Sequence, residues 1–157
     1  MKTAAASKKN LPHAFTLIEI MIVVGIIGLI AAIGVPSILQ SLQKEGMRKA
    51  VDDMTSALTD ARAHAILTGQ TADVTFHPAE KTFSSSGGKS ATLPDGVDFA
   101  MLDINLMDFS QSDVSRVRFF PNGTCDEMTV VLHSADDWRK ITLEFSTGLW
   151  QVSDVDK

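Results

Sequence analysis

The chain has 157 residues, with 14 Lys and Arg, 19 Asp and Glu, a formal net charge of −5 at pH 7 and one cysteine. A single cysteine excludes an intrachain disulfide, and the acidic balance disfavours binding to nucleic acid, which requires clustered Lys and Arg. The length predicts one compact domain together with a membrane segment.

The N-terminal region is basic and precedes a long apolar run. Lys2, Lys8 and Lys9 lie before the run without any acid, whereas the rest of the chain has 11 basic and 19 acidic residues. Over Ile20–Leu39 the only polar residue is Ser37. Twenty helical residues span about 30 Å, the thickness of a bilayer's hydrocarbon core, and this exceeds the apolar stretch of a secretory signal. We therefore predict a membrane-spanning helix with its basic end in the cytoplasm.

Three kinds of residue distinguish this run from a plain anchor. Glu19 lies at its start, where a carboxylate costs up to about 2.5–3.5 kcal/mol at the bilayer centre, and less near the interface, unless a partner neutralises it. Gly25, Gly28 and Gly34 weaken the helix locally or allow close contact between helices. Pro36 removes one backbone hydrogen bond and predicts a kink.

The segment AFTLIE at Ala14–Glu19, behind a short basic leader, resembles the class III signal of type IV pilins and type II secretion pseudopilins. The resemblance implies that a membrane peptidase cuts between Ala14 and Phe15 and methylates the new amino group of Phe15. Residues 1–14 are then a cleaved leader. The residue before the cut is Ala14, where the family usually has glycine.

The same resemblance implies roles for three residues of the apolar helix. In a helical filament, Glu19 of one subunit would face the new amino group of Phe15 in its neighbour, so that correct stacking neutralises the acid and fixes the register. An incidental acid at the membrane interface is the alternative. Pro36 matches the family's helix-kinking proline, and Gly28 lies where the family's helix loosens on assembly.

The helix is predicted to continue to about Leu67. An apolar residue recurs at every third or fourth position: Met47, Val51, Met54, Leu58, Ala61 and Ala65. This period predicts a helical stripe that packs on a sheet, with a coiled coil as the alternative. Gly69 predicts the C-terminal cap of the helix.

Beyond Gln70 the apolar pattern changes to period two, which is typical of strands. The segments with strand character are 72–76, 97–102, 104–109, 115–120, 128–132, 141–145 and 149–152. The Ser- and Gly-rich segment 84–96 predicts a flexible loop and turn region. The expected fold is α+β and pilin-like, with a long N-terminal helix packed on a small antiparallel sheet or sandwich. Its parts are a membrane or filament-core helix at 15–39, an amphipathic stalk at 40–69 and a β-rich domain at 70–157.

Several later stretches resemble the GspH/FimT group of minor pseudopilins and pilins. They are ARAHAILTGQTADVTF, LPDGV, RFFPNGT and ITLEFSTGLWQV, and the resemblance spans His13 to Val152. It implies an H-type minor pseudopilin of a type II secretion system, in a periplasmic pseudopilus that helps drive protein export across the outer membrane. A FimT-like minor type IV pilin, in pilus assembly or in DNA uptake, is the alternative. The acidic C-terminal sequence QVSDVDK argues against DNA binding.

The resemblance also implies partners and a location. The partners are other pilins or pseudopilins in a hetero-oligomeric filament, the prepilin peptidase and the inner-membrane assembly platform. The location is the bacterial inner membrane, with one span and a periplasmic C-terminal domain, and the subunit leaves the membrane on assembly. Neither a cofactor nor a nucleic-acid partner is expected.

Motifs of catalysis are weak in this sequence. Gly87–Ser90 reads GGKS but lacks the earlier glycine of a phosphate-binding loop. His133 and Ser134 lie beside acids without a nucleophile elbow, and the four histidines lack metal-ligand spacing. We therefore predict neither an enzyme nor a transition-metal site. Calcium binding at Asp95 and Asp98, or at the C-terminal acids, is left open.

Overall fold

The computed structural model describes residues 16–135 and 137–155 of the chain. It divides into two compact units, Met1–Leu39 and Gln40–Lys157. Helix α1 (Leu17–Thr68) contributes to both units, and the strands all belong to the second. The strands are β1 (Ala72–His77), β2 (Thr82–Ser85), β3 (Ser90–Thr92), β4 (Asp98–Ile104), β5 (Met107–Asp108), β6 (Ser115–Phe119), β7 (Met128–Ser134), β8 (Asp137–Leu143) and β9 (Trp150–Asp154).

In the first unit the described residues form the beginning of α1. The segment Leu17–Val35 is long and apolar enough to cross a membrane, and none of it is buried within the protein. This agrees with the helix predicted from the apolar run. The helix includes position 36, but the side chain of Pro36 lies outside the described part of the chain.

In the second unit the apolar stripe of α1 faces the core, as predicted. Met47, Met54, Leu58, Ala61 and Ala65 are each at most 1% exposed, and they form one hydrophobic cluster with the inward-facing residues of the strands. The stripe therefore packs on sheets rather than forming a coiled coil.

The predicted end of the helix is also confirmed. Helix α1 ends at Thr68, and Gly69 follows with φ +70°. The N–H of Gly69 donates to the carbonyl of Ala65 at 3.1 Å. This left-handed conformation favours glycine, which has no Cβ to clash.

Two antiparallel sheets complete the domain. One has the strand order β3-β2-β1-β6 and the other β5-β4-β7-β8-β9. Burial alternates along the strands, as in β7, where Met128, Val130 and Leu132 face inward. The alternation explains why period-two segments predicted these strands, and the α+β fold class is confirmed.

Three local predictions are wrong. The segment 104–109, predicted as one strand, is divided by a turn at Asn105 and Leu106, because β4 ends at Ile104 and β5 begins at Met107.

The segment predicted as a flexible loop and turn region does contain turns, but it also contains the end of β2 and all of β3. The turn between β2 and β3 is held from outside, because Ser85 Oγ donates to the Asp60 carboxylate of α1 and also accepts the N–H of Gly87 at 3.0 Å. Strand β8 ends at Leu143, and Phe145 is 61% exposed because the chain has already entered the turn to β9.

Candidate functional site

The start of α1 is organised by Thr16 and Glu19. The backbone N–H of Glu19 donates to Thr16 Oγ1 at 3.3 Å and to the Thr16 carbonyl at 3.1 Å. Thr16 is therefore the N-cap, with Glu19 three positions later as in a capping box. A carboxylate in the first helical turn also interacts favourably with the positive end of the helix dipole. The start of the helix thus stabilises an acidic residue at this position, and the side chain of Glu19 remains exposed.

The two residues of the expected cleavage site lie just before this cap. Ala14 and Phe15 are outside the described residues, so cleavage and methylation there stay predictions. Thr16 begins the described part of the chain directly after them. Thr16 was not among the site residues predicted from the sequence, although Thr16 and Glu19 have the Thr-x-x-Glu spacing of a capping box.

The apolar segment that follows the cap exposes nearly all of its side chains. Its large residues, from Leu17 at 80% to Ile33 at 70%, are all exposed. An apolar surface of this extent marks contact with a membrane or with other proteins. A Cβ at Gly28 would meet nothing within 4 Å among the described residues, so no contact in the subunit itself requires glycine there. The assembly role of Gly28, like the kink at Pro36, stays a prediction.

Two of the residues considered for catalysis or calcium binding, His133 and Asp98, have structural contacts. His133 Nε2 lies 2.7 Å from the Ala135 carbonyl, and its ring packs against Trp138 with 4.2 Å between centroids and 46° between the ring planes. Asp98 forms an ion pair with Lys81. Within residues 16–135 and 137–155, no three His, Cys, Asp or Glu side chains are grouped as a metal site.

The lone thiol is poorly suited to nucleophilic chemistry. Cys125 is buried, and its Sγ donates to the Glu144 carbonyl at 3.3 Å. Burial, together with the charge of Asp126, raises the pKa of the Cys125 thiol to about 11. The reactive thiolate is therefore scarce at neutral pH.

Two surface features of the second unit escaped sequence reasoning. One is the β4–β5 turn, where Leu106 is 85% and Met107 64% exposed. The other is a cavity of about 450 Å³ between α1 and strands β8 and β9. Its lining residues are Lys44, Met47, Arg48, Val51, Asp52, Asp137, Arg139 and Val152. The cavity could not be read from the sequence, because its two walls come from distant parts of the chain.

Comparison with known proteins adds sequence relatives. Residues 10–35 match the family model described as the prokaryotic N-terminal methylation motif. Two fimbrial proteins of Pseudomonas aeruginosa are each 39% identical over 82 residues, or 52% of this chain and 52% of the relative. The chain thus spans about half the length of the curated relatives it matches.

Two solved structures resemble the fold. The minor pseudopilin EpsH from the type 2 secretion system of Vibrio cholerae has a TM-score of 0.52 and 15% identity, over 70% of this chain and 97% of that one. The type IV minor pilin FimU of Pseudomonas aeruginosa has a TM-score of 0.50 and 18% identity, over 70% and 90%. At these identities the likeness is one of fold.

The methylation motif and the exposed apolar helix indicate membrane anchoring of a soluble C-terminal domain. The motif occupies the same short stretch as the AFTLIE segment and the Thr16 cap. In its methylation motif, its fimbrial relatives and its fold, the chain is similar to type IV pilins and pseudopilins.

Proposed function

We propose that this protein is an H-type minor pseudopilin of a type II secretion system. It adds to a periplasmic pseudopilus that helps drive protein export across the outer membrane. The observation that carries the proposal is the exposed apolar helix segment Leu17–Val35, which is capped by Thr16. It continues into a domain with its own core and with the fold of a minor pseudopilin. Its role is structural, as in its family, rather than enzymatic.

Maturation precedes assembly in this proposal. The prepilin peptidase removes residues 1–14 by cutting between Ala14 and Phe15, and then methylates the amino group of Phe15. The Thr16 cap lies next to this new end, so cleavage leaves the capped helix intact. The mature subunit is held in the inner membrane with its β-rich domain in the periplasm, until the assembly platform moves it into the filament.

Glu19 provides the register of assembly. Its carboxylate is exposed at the start of an apolar helix, where no described cation pairs with it. A neighbour's Phe15 amino group would neutralise it only in the correct stacking position. Since an unpaired charge in apolar surroundings costs several kcal/mol, on the order of a 100-fold preference or more, misaligned subunits are rejected.

A minor type IV pilin is the second candidate, supported by the likeness in fold to FimU. DNA uptake is less well supported, because two arginines of the domain are already paired with acids. Arg118 binds Asp126 and Arg139 binds Asp137, with Nε to oxygen distances of 2.8 and 2.9 Å. Phosphate contacts require cations that are free to bind.

The test is mass spectrometry of the mature N-terminus from the native host, with and without the peptidase. We expect a chain that begins with methylated Phe15, and only in cells that have the peptidase. A chain that begins at Met1 in both strains contradicts the proposal. If a deletion strain accumulates exported proteins in the periplasm but has normal surface pili, the result favours a role in secretion. If it exports proteins normally but lacks surface pili, the result favours a role in the pilus.

A second experiment isolates Glu19. We expect Glu19→Gln to be cleaved normally but to be lost from the sheared filament fraction. Glu45→Gln changes an exposed acid of the same helix within the second unit and is the matched control. Normal incorporation of Glu19→Gln would refute the register role while leaving the family assignment intact.

A further inference from the structure

The turn between β8 and β9 lies beside the last turns of α1. The indole N–H of Trp150 donates to Thr59 Oγ1 at 3.3 Å, and Arg62 Nη2 donates to the Thr147 carbonyl at 3.1 Å. Thr59 and Arg62 are three residues apart, so they lie on one face of the helix. The turn is therefore held at the end of the second unit where α1 stops, and the first unit joins at the other end, at Gln40.

The turn between β4 and β5 lies at this same end. In the register of the second sheet, Ile104 at the end of β4 pairs with Met128, Met128 pairs with Leu143, and Leu143 pairs with Trp150. Adjacent strands are about 4.8 Å apart, so the three intervals between β4 and β9 separate the two turns by about 14 Å. A typical interface of about 800 Å² per partner extends further than this, so one partner can contact both turns.

Both turns and the end of α1 expose large apolar side chains. Ile66 follows Arg62 by four residues and thus lies on the helix face that contacts the β8–β9 turn. Apolar exposure concentrated in this way marks a site of protein contact, and aromatic residues are enriched in such sites. We call the following six side chains, each at least 41% exposed, the distal apolar surface: Ile66, Leu106, Met107, Phe145, Leu149 and Trp150.

The leucine at position 106 is unfavourable for its own turn. Asn105 and Leu106 connect β4 to β5 with φ +52° and +65°. A two-residue hairpin turn with two positive φ angles favours the sequence Asn-Gly, because the Cβ of any larger residue is strained there. Leu106 is also exposed, so it gains no burial in return. Strain of this kind concentrates at functional sites.

Both turns are held firmly by hydrogen bonds. Asn105 Nδ2 donates to Asp126 Oδ1 at 3.1 Å, and Asn105 Oδ1 accepts the N–H of Glu127 at 3.1 Å. In the other turn, the carbonyl of Phe145 accepts the N–H of Cys125 at 3.0 Å. The apolar side chains are thus displayed on a preorganised backbone, which loses little conformational entropy when it binds a partner.

Carboxylates surround the β4–β5 turn. Asp103 and Asp108 lie directly opposite each other on the two strands, where like charges repel. Glu127 is exposed beside Asn105. Within the described part of the chain, none of these three carboxylates forms an ion pair. A partner of complementary charge therefore places lysine or arginine here.

The remaining segments of the chain do not cover this surface. The leader, residues 1–14, is removed under the proposed function. At the other terminus, the N–H of Val155 donates to the carbonyl of Trp138 at 3.2 Å, which lies at the opposite end of β8 from the β8–β9 turn. Two residues follow Val155, and they are too short to return along the sheet.

A second copy of the chain is also unsuited to cover it. Two copies that met through this same surface would be related by a two-fold axis, so their Gln40 ends would point in opposite directions. Both copies could not then be anchored in one membrane. A head-to-tail contact needs another apolar surface on the chain. Beyond Leu67, which adjoins the distal apolar surface, the large apolar side chains that the described second unit exposes lie on three separate segments: Leu42, Val114 and Val155.

We propose that the distal apolar surface binds a pilin or pseudopilin of different sequence, whose contact face combines apolar side chains with lysine or arginine. The proposal rests on the proposed function, because it describes the neighbour of this subunit in a hetero-oligomeric filament. Apolar side chains of the neighbour would cover Leu106, Phe145 and Trp150, and its cations would approach Asp103 and Asp108. Because only a matching face satisfies both requirements, the contact selects which subunit follows this one.

Photo-cross-linking of the full-length chain in its native host tests this contact. The photoreactive residue p-benzoyl-phenylalanine replaces Phe145, whose side chain it resembles. Sheared filaments and membranes are irradiated, and the adduct is identified by the masses of its peptides. We expect an adduct with a different chain that has its own N-terminal methylation motif. The same photoreactive residue at Val114, which is exposed but outside the surface, should not give this adduct.

Variants in the cross-linking chain test the role of each turn. Leu106→Gly should lower the adduct yield by about tenfold or more, because the contact loses a buried leucine. It should keep or raise the thermal midpoint of the purified full-length chain, because glycine suits this turn, so misfolding cannot explain the loss. Leu106→Met should retain the adduct. Asp103→Asn together with Asp108→Asn should lower the yield several-fold and weaken its dependence on salt.

The outcomes separate this inference from the proposed function. If the subunit is found in the sheared filament fraction but gives no adduct at position 145, the contact is overturned and the pseudopilin proposal stands. Adducts formed only with lipid, with a second copy, or with a protein that lacks a methylation motif overturn the contact in the same way. A full yield in the Leu106→Gly chain also overturns it. A chain with an uncleaved N-terminus and no filament fraction overturns both proposals.

Discussion

Three hydrogen bonds join Asp126 to Arg118, which lies eight residues earlier in the chain. Asp126 Oδ2 accepts the backbone N–H of Arg118 at 3.0 Å and its Nε at 2.8 Å, and Oδ1 accepts Nη2 at 3.1 Å. The carboxylate side chain is 9% exposed, whereas the arginine is 57% exposed. The pair thus fixes the base of the β6–β7 connection and, through Asn105, the base of the β4–β5 turn.

The first prediction concerns the stability that this carboxylate provides. Burial alone would raise the pKa of Asp126, but hydrogen bonds from Arg118 and Asn105 outweigh it and lower the pKa below the ordinary 3.8. A lowered pKa means that the stabilisation is present above pH 3.8 and is lost as the pH falls further. We expect Asp126→Ala to reduce the free energy of unfolding by about 1–3 kcal/mol at pH 7.

Urea denaturation of residues 40–157, which contain the whole hydrophobic core, measures this effect. The difference in the free energy of unfolding between wild type and Asp126→Ala should become smaller as the pH is lowered from 7 to strongly acidic values. Asp113→Ala removes an exposed acid and should change stability by no more than about 0.5 kcal/mol. A gap that stays constant with pH would contradict the charged, hydrogen-bonded role of Asp126.

The second prediction compares two glycines with the same backbone conformation. Gly148 has φ +62°, and a Cβ there would lie 2.6 Å from the Gly123 carbonyl and 3.0 Å from Arg62 Nε. Gly69 has φ +70° with nothing within 4 Å. Gly69→Ala should cost about 1 kcal/mol and Gly148→Ala about 2–4 kcal/mol, because only the second adds a steric clash. If thermal unfolding shows equal losses of stability for the two variants, the β8–β9 turn must shift to accommodate the added methyl group.

The third prediction concerns two leucines of the same helix. Leu58 is 1% exposed within the core and Leu67 is 84% exposed near the helix end. Leu58→Ala should destabilise the domain by about 2–5 kcal/mol, since it leaves a cavity among close-packed neighbours. Leu67→Ala should have an effect within about 0.5 kcal/mol. Similar losses for both variants would contradict the orientation of the apolar stripe.

The fourth prediction concerns the thiol of Cys125. Its pKa of about 11, against an ordinary 9.0, lowers the thiolate fraction in the folded protein at pH 8 by about 100-fold. Alkylation should therefore be slow in buffer and fast in urea, as followed by mass spectrometry. Thr92→Cys supplies an exposed thiol that should react in buffer. Rapid modification of Cys125 in the folded protein would show that the β6–β7 region opens readily.

The sequence predicted the helix stripe and most strands because their burial follows a single period along the chain. Met54 and Leu58 face the core for the same reason that Val130 and Leu132 do. The β2–β3 hairpin was missed because the second buried position of β2 is Ser85, so its alternating burial leaves no apolar period in the sequence. The hydroxyl of Ser85 depends on Asp60, which lies on α1. Phe145 was predicted to lie in a strand because it continues the apolar alternation of Ile141 and Leu143. The chain has already entered the turn to Gly148 at this point, so the strand has ended.

The candidate site was predictable to the extent that it is local. The segment Ala14–Glu19 and the apolar residues that follow it are contiguous in the chain, so the motif can be recognised from the sequence alone. The cavity combines Met47 with Val152, and the domain is also fastened by Arg62 Nη2, which donates to the Thr147 carbonyl at 3.1 Å. Contacts between residues so far apart leave no pattern in one sequence.

The absence of burial along Leu17–Val35 has a consequence for the life of the subunit. Among the described residues, the members of the hydrophobic core begin at Met47, so the domain keeps its packing whatever surrounds the apolar segment. Exchange of lipid for neighbouring helices then requires no refolding of the domain. Under the proposed function, the same folded domain would serve the subunit in the membrane and the subunit in the filament, and a disassembled filament would return subunits that can assemble again.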